Sequence, residues 1–357
     1  MSMPDPLNEV DKRNVEFRPR RQPRRWTAGR AAGAGIALVL AVVAVGVVTW
    51  ISFNPQRVAD QIAVWNFEPS QAIAQYAEVT TMTEEGRFLF YASRPVVATD
   101  MAFDAVCANR EEGFGILGCY LPRSKTIYLY DVTDDRLAGI EEVVAAHEML
   151  HAVWDRLADE ERSRLEVLLE AEAAQMADNA EFTDRFEFYA RTQPGTRANE
   201  LHSIIGTEFA TVSGALEAHY ATYFRNRSEV ITLHEQSNAV FLAQQAQIET
   251  LIAQLDSLRA SVEANYAGYN ESFDILNSDI EVFNERADSG FYDSQAEFRA
   301  DRDELLSRQD ALGAVFAGIE SQRVEYDQLA AQLDALNEDV ESLNDSINIE
   351  PREDLGL

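Results

Sequence analysis

The stretch that decides the reading of this chain is Gly139-Ile140-Glu141-Glu142-Val143-Val144-Ala145-Ala146-His147-Glu148-Met149-Leu150-His151-Ala152-Val153-Trp154-Asp155-Arg156-Leu157. Its spacing predicts one helix. Residues four apart on a helix are displaced by only about 40° around the axis, so His147 and His151 share a face. Two imidazoles one turn apart can reach the same metal ion, and Glu148 beside them can take a proton from a metal-bound water. The flanks Val143–Ala146 and Ala152–Trp154 carry no charge, as expected of a buried helix around a metal site rather than an exposed one.

Composition bounds the rest. The chain has 357 residues, room for one or two domains with a core, and a formal net charge of −31. Residues 1–30 hold eight Lys/Arg against four Asp/Glu, a balance of +4, which leaves −35 on the remainder. Such an acidic exterior argues against a nucleic-acid partner and against close docking on an anionic membrane surface. Cys107 and Cys119 lack the CxxC spacing of a cysteine zinc site.

Residues 1–30 read as a disordered basic tail. Residues 31–53 then run without a charge, long enough to cross a bilayer as a helix, with Trp26 and Trp50 near its ends. The basic flank precedes the span, so the positive-inside rule places the N-terminus in the cytoplasm and everything after Asn54 outside it. The apolar run is too long, and its leader too long, for a cleaved signal peptide. The expected location is the cell membrane, single-pass. In an oxidising compartment Cys107 and Cys119 are expected to pair as a disulfide.

Residues 54–227 read as a globular catalytic domain. Ser70 suits the cap of a helix running to about Thr80. Phe88-Leu89-Phe90-Tyr91 looks like a strand ended by Pro95. Gly115–Leu121 and Thr126–Val132, separated by Pro122-Arg123-Ser124-Lys125, read as a hairpin, whose second strand is either an exposed, peptide-binding sheet edge or an internal strand. Asp134 or Asp135 suits the cap of the motif helix, and Asp159-Glu160-Glu161 starts another helix that runs to about Met176. A short helix is expected over Phe182–Thr192, a break at Pro194-Gly195, and a further helix from about Asn199.

That further helix carries the candidates for a third metal ligand: Glu200, His202 and Glu208. A catalytic zinc needs three protein ligands and an open position. Glu200 and Glu208 stand two turns apart, so one ligates and the other can hold a zinc-bound histidine. HExxH followed by a helical Glu resembles the gluzincin group of zinc metallopeptidases. Asn199-Glu200, Ser203 and Gly206-Thr207 are similar to the third-ligand helix of its thermolysin-like members. The likeness covers roughly residues 137–210. It implies a small zincin-like α+β catalytic domain, Zn2+ held by His147, His151 and Glu200, Glu148 as the catalytic base, and a peptide or protein substrate. The family sets an Asp one turn beyond the Glu, where this chain has Ile204. His202, His219, Tyr220 and Tyr223 are the polar residues available for an oxyanion, although Tyr220 and Tyr223 at helical spacing read more readily as core.

From about Ser228 the composition changes. Ile248, Leu251, Leu255, Leu258, Val262, Tyr266, Tyr269, Phe273, Leu276, Ile280 and Phe283 recur at spacings of three and four, a heptad seam. A turn around Gly290 precedes a second seam from Leu305 to Ile347. Residues 228–348 therefore predict a long antiparallel coiled-coil hairpin, the longer leg on the order of 80–90 Å, with a short tail at 349–357. Gly313 and Gly318 are its weak points. The hairpin carries no chemistry of its own and suits a spacer, a substrate ruler or an arm for a protein partner. The rival overall reading is a catalytically inactive, membrane-anchored scaffold whose arm binds that partner.

Overall fold

The computed structural model describes residues 28–107, 117–177, 182–183 and 196–347. Residues 1–27 of the expected basic tail, most of the expected helix at 182–192, the expected break at Pro194-Gly195 and the C-terminal tail lie outside them; residues 28–30 already belong to a helix. The chain divides into two compact units, Met1–Val58 and Ala59–Leu357. The expected boundary at 227/228 thus falls inside the second unit.

In the first unit, α1 (Ala28–Phe53) contains the span Gly35–Phe53, long and apolar enough to cross a membrane. Its Ile36, Leu38, Val39, Leu40 and Val45 side chains are exposed, the surface that lipid would cover. Only Asn54 separates α1 from α2 (Pro55–Trp65).

The second unit is mostly helical, with one small sheet. Helix α3 (Gln71–Val79) is capped as expected, Ser70 accepting from the Ile73 N–H. The next element corrects the sequence reading: Phe88–Tyr91 belong to a helix, α4 (Glu84–Ala92), not a strand. Thr83 accepts from the Gly86 N–H, and Glu84 and Glu85 occupy the first turn. These start signals outweigh the β-prone aromatic run, and Gly86, Leu89 and Phe90 go to the core.

Strands β1 (Val96–Ala98), β2 (Gly118–Leu121) and β3 (Thr126–Tyr130) form a sheet of order β1-β3-β2. Between β1 and β2 lies the short helix α5 (Asp100–Asp104). The expected hairpin is present, β2 antiparallel to β3 with Tyr120 opposite Ile127. β1 joins in parallel, Val97 opposite Leu129. Strand β3 is therefore internal, and β1 and β2 are the two edges among the described strands. Cys107 and Cys119 are bonded, their Cα atoms 6.0 Å apart, which ties β2 to the segment after α5.

The motif helix is α6 (Ile140–Arg156). Asp134 caps only the 3-10 turn Asp135–Leu137. The start of α6 itself is Gly139, at φ +97°, without a side-chain cap. That left-handed backbone suits glycine, and Leu233 would lie 3.0 Å from a Cβ there. Helix α7 (Asp159–Gln175) follows, acidic in its first turn as expected. Helices α8 (Arg197–Glu208) and α9 (Gly214–Tyr220) complete the globular part. The core gathers Phe90, Ile127, Leu129, Met149, Leu150, Leu165, Leu201, Ile205 and Tyr220, with α6 at its centre.

Two polar devices hold this frame. Arg156, at the end of α6, forms a two-bonded ion pair with Asp60 of α2 (Nε–Oδ2 3.0 Å, Nη2–Oδ1 2.9 Å) and donates to the Tyr120 hydroxyl of β2 at 3.2 Å. Tyr120 in turn donates to Asp155 at 2.7 Å, so the edge strand is moored to α6. Arg227 donates to the Phe209 and Ala210 carbonyls (2.7 and 2.9 Å), satisfying acceptors past the end of α8.

The hairpin is α10 (Arg227–Asp288) and α11 (Gln295–Ser346), turned at Gly290 with φ +71°. Gly313 and Gly318 sit inside an unbroken α11. Its base is continuous with the globular part: Leu343 and Ile347 pack on Leu137 and Ile140, and Asp339 accepts from Arg136 and Gln244.

Candidate metal centre

Helices α6 and α8 are brought close by a missing side chain. A Cβ on Gly206 would lie 2.5 Å from Leu150 Cδ1 and 2.7 Å from Tyr220 Cε1, so only glycine allows this approach. The approach sets Glu200, on α8, against the histidine face of α6. His147 and His151 have ring centroids 4.8 Å apart and planes at 82°. His151 Nε2 lies 3.6 Å from Glu200 Oε2. One donor atom from each of His147, His151 and Glu200 lies within 4.8 Å of the others, a group that can hold a metal ion.

The chemistry of this donor set fits a divalent cation. Two donors each about 2.0–2.2 Å from a tetrahedral ion stand roughly 3.3–3.6 Å apart. The His151–Glu200 separation is close to that. Glu200 is 2% exposed, and its Oε2 has no hydrogen-bond partner. A bare, buried carboxylate oxygen is strongly unfavourable, and a cation would satisfy it.

Glu148 is 5% exposed and lies beside the group without joining it as a ligand. It receives the Tyr120 backbone N–H of β2, while its Oε2 is buried without a partner. Strand β2 comes this close because residue 118 is glycine: a Cβ there would meet Val144 Cγ1 at 2.5 Å and Glu148 Oε1 at 2.9 Å. Burial pushes the Glu148 carboxyl up to about 7, with repulsion from Glu200 adding and His151 opposing. Burial also raises Glu200, against the attraction of His151. In His151 burial favours the neutral ring, but Glu200 and Glu148 outweigh it and the group is raised. A divalent ion would draw both carboxylates into their charged forms.

Neither alternative third ligand joins the group. Glu208 lies at the far end of α8, with His234 Nε2 of α10 4.0 Å from its Oε2. His202 is fully buried, its Nε2 2.8 Å from His219 Nε2, between Trp154 and Tyr220. Burial holds His202 well below the usual imidazole range and pushes His219 down to about 4. The Tyr220 hydroxyl donates to the His202 carbonyl at 2.8 Å, and Tyr220 is wholly buried, the core role anticipated for it.

Three contributors escaped the reading of the chain. Ser203 Oγ lies 3.1 Å from His151 Nδ1, taking the partner position that Ile204, buried and apolar, cannot fill. Gly118 and the Tyr120 N–H shape the surroundings of Glu148. A glycine at the start of a β-rich run does mark close backbone approach and was the available signal. Comparison with protein families, with curated proteins and with solved structures finds no match for this chain.

Proposed function

We propose that this chain is a membrane-anchored zinc metallopeptidase of the gluzincin type, hydrolysing peptide bonds outside the cytoplasm. The observation that carries the reading is the convergence of half-buried His147 with His151 and the buried Glu200, with buried Glu148 beside them. Zinc bound there supplies a Lewis acid that polarises a scissile carbonyl and eases deprotonation of a water. His147 and His151 would hold it as neutral donors and Glu200 as the anionic one.

Glu148 is the general base. Its unpartnered Oε2 can accept a proton from the attacking water and deliver it to the leaving amine. Burial keeps competing solvent from this carboxylate and strengthens its interactions. Strand β2 has a hydrogen-bonded neighbour on one side only among the described strands. Its other side, next to Glu148, can take an extended peptide as an added strand. The Tyr120–Asp155 and Arg156–Asp60 contacts keep that edge in register with α6.

The remaining assignments follow from the chain. The apolar span of α1 anchors the protein in the cell membrane, the basic residues before it stay in the cytoplasm, and the Cys107–Cys119 bond belongs to the oxidising side. The acidic hairpin serves a protein partner, not nucleic acid.

Metal analysis of the purified full-length chain tests the site. The expected result is about one zinc per chain, lost in Glu200→Ala and retained in Glu208→Ala. Glu148→Gln should keep the metal and abolish hydrolysis of a peptide mixture. A wild-type chain that takes up no stoichiometric metal would leave only the anchored scaffold.

A further inference from the structure

We infer that Ser203 is a positioning residue that fixes which nitrogen of His151 faces the metal; this rests on the metal-site reading above. A serine hydroxyl has one proton to donate and lone pairs to accept with. Ser203 Oγ has two neighbours within hydrogen-bond range, His151 Nδ1 at 3.1 Å and the Asn199 carbonyl oxygen at 3.3 Å. A carbonyl only accepts, so the contact with Asn199 uses the hydroxyl proton. The contact with His151 then requires Nδ1 to donate; the Asn199 side chain is a further hydrogen-bonding neighbour of this imidazole, so Ser203 acts beside it. A neutral His151 with its proton on Nδ1 has its lone pair on Nε2, the nitrogen 3.6 Å from Glu200 Oε2.

The placement is a property of α8. Glu200 and Ser203 are three residues apart on one helix, so one side of α8 presents both an anionic ligand and the acceptor that orients the opposing imidazole. Ser203 is itself fully buried, and its own carbonyl accepts from Thr207 Oγ1 at 2.8 Å. The hydroxyl therefore does not compete with bulk water for the imidazole. A neutral acceptor orients the ring without adding a third carboxylate to a pocket that already holds Glu148 and Glu200.

The test measures zinc affinity by chelator competition on the full-length chain, alongside the melting temperature of each metal-free form. Ser203→Ala should weaken zinc binding about 10- to 100-fold, the usual effect of losing such a partner, while the metal-free melting temperature stays close to wild type. Ser203→Thr, which keeps the hydroxyl, should recover most of the affinity. Equal zinc affinity in wild type and a folded Ser203→Ala overturns the role of Ser203 and leaves the metal site standing. Affinity and metal-free melting falling together, with no recovery in Ser203→Thr, also overturns it, in favour of plain packing. No zinc binding by the wild type overturns both.

Discussion

The crossing of α6 with α8 and the outer part of the α10–α11 hairpin are both helix against helix, yet they treat their side chains in opposite ways. In α8 every residue from Glu200 to Thr207 is buried. In the 52 residues of α11 only Ile319 and Leu343 are, and beyond Gln244 α10 buries only Leu276. Two helices alone expose much of any seam, and Phe273, Val315 and Phe316 remain 42–46% exposed. At the candidate metal centre, β2, α7, α9 and α10 close around the crossing, so polar atoms there must be paired or ligated. The difference shows why a metal-binding group can form in one region and not in the other: enclosure strengthens the interactions of an imidazole or a carboxylate.

Large-to-small changes should break the two regions very unequally. Leu150→Ala, at a position with no exposure, should cost about 2–5 kcal/mol in urea unfolding. Leu306→Ala, at a position 41% exposed on the arm, should stay within about 0.5 kcal/mol. Equal losses would mean that the arm is enclosed by something further.

Acid should act on the enclosed region next. His219 titrates near 6.5 when unfolded and at about 4 in the fold, because burial opposes its charge. Between those values the unfolded chain binds more protons, so stability falls as pH drops from 6.5 towards 4. The contribution reaches about 3 kcal/mol at its limit. His219→Gln should flatten that part of the stability–pH curve; an unchanged slope would show that the His202–His219 contact is not held neutral.

Glycines give the smallest effect and the sharpest contrast, because the sign should reverse. Gly206→Ala drives a methyl into Leu150 and Tyr220 and should cost about 1–3 kcal/mol, with weaker zinc binding. Gly318→Ala meets nothing within 4 Å inside a helix and should stabilise by about 0.5–1 kcal/mol. A destabilising Gly318→Ala would point to a close partner on that face.

Much of this was legible in the chain because it depends on local periodicity. The apolar span, the β2–β3 hairpin, the Ser70 cap, the two seams and the His147/His151 face all follow from spacings within a few residues. The misreading of Phe88–Tyr91 has a local cause as well: four β-prone residues drew attention from Thr83, Glu84 and Glu85 just before them. Other features were illegible because their partners are far apart in sequence. Nothing near Tyr128 says that Val96 pairs opposite it and makes β3 the internal strand. Nothing near Glu200 says that Ser203, not Ile204, meets His151.

By itself the order of residues determined that two imidazoles share a helix face, that an acidic residue stands next to them, and that a long apolar helix precedes an acidic hairpin. Periodicity alone suffices for these, since 3.6 residues per turn places neighbours without reference to the rest of the fold. Tertiary structure decided which carboxylate completes the group. Glu200 and Glu208 are chemically alike, and only the close approach at Gly206 turns one toward His151 while α10 takes the other. Choosing between equivalent ligands is a matter of helix crossing, which no spacing along a single helix can express.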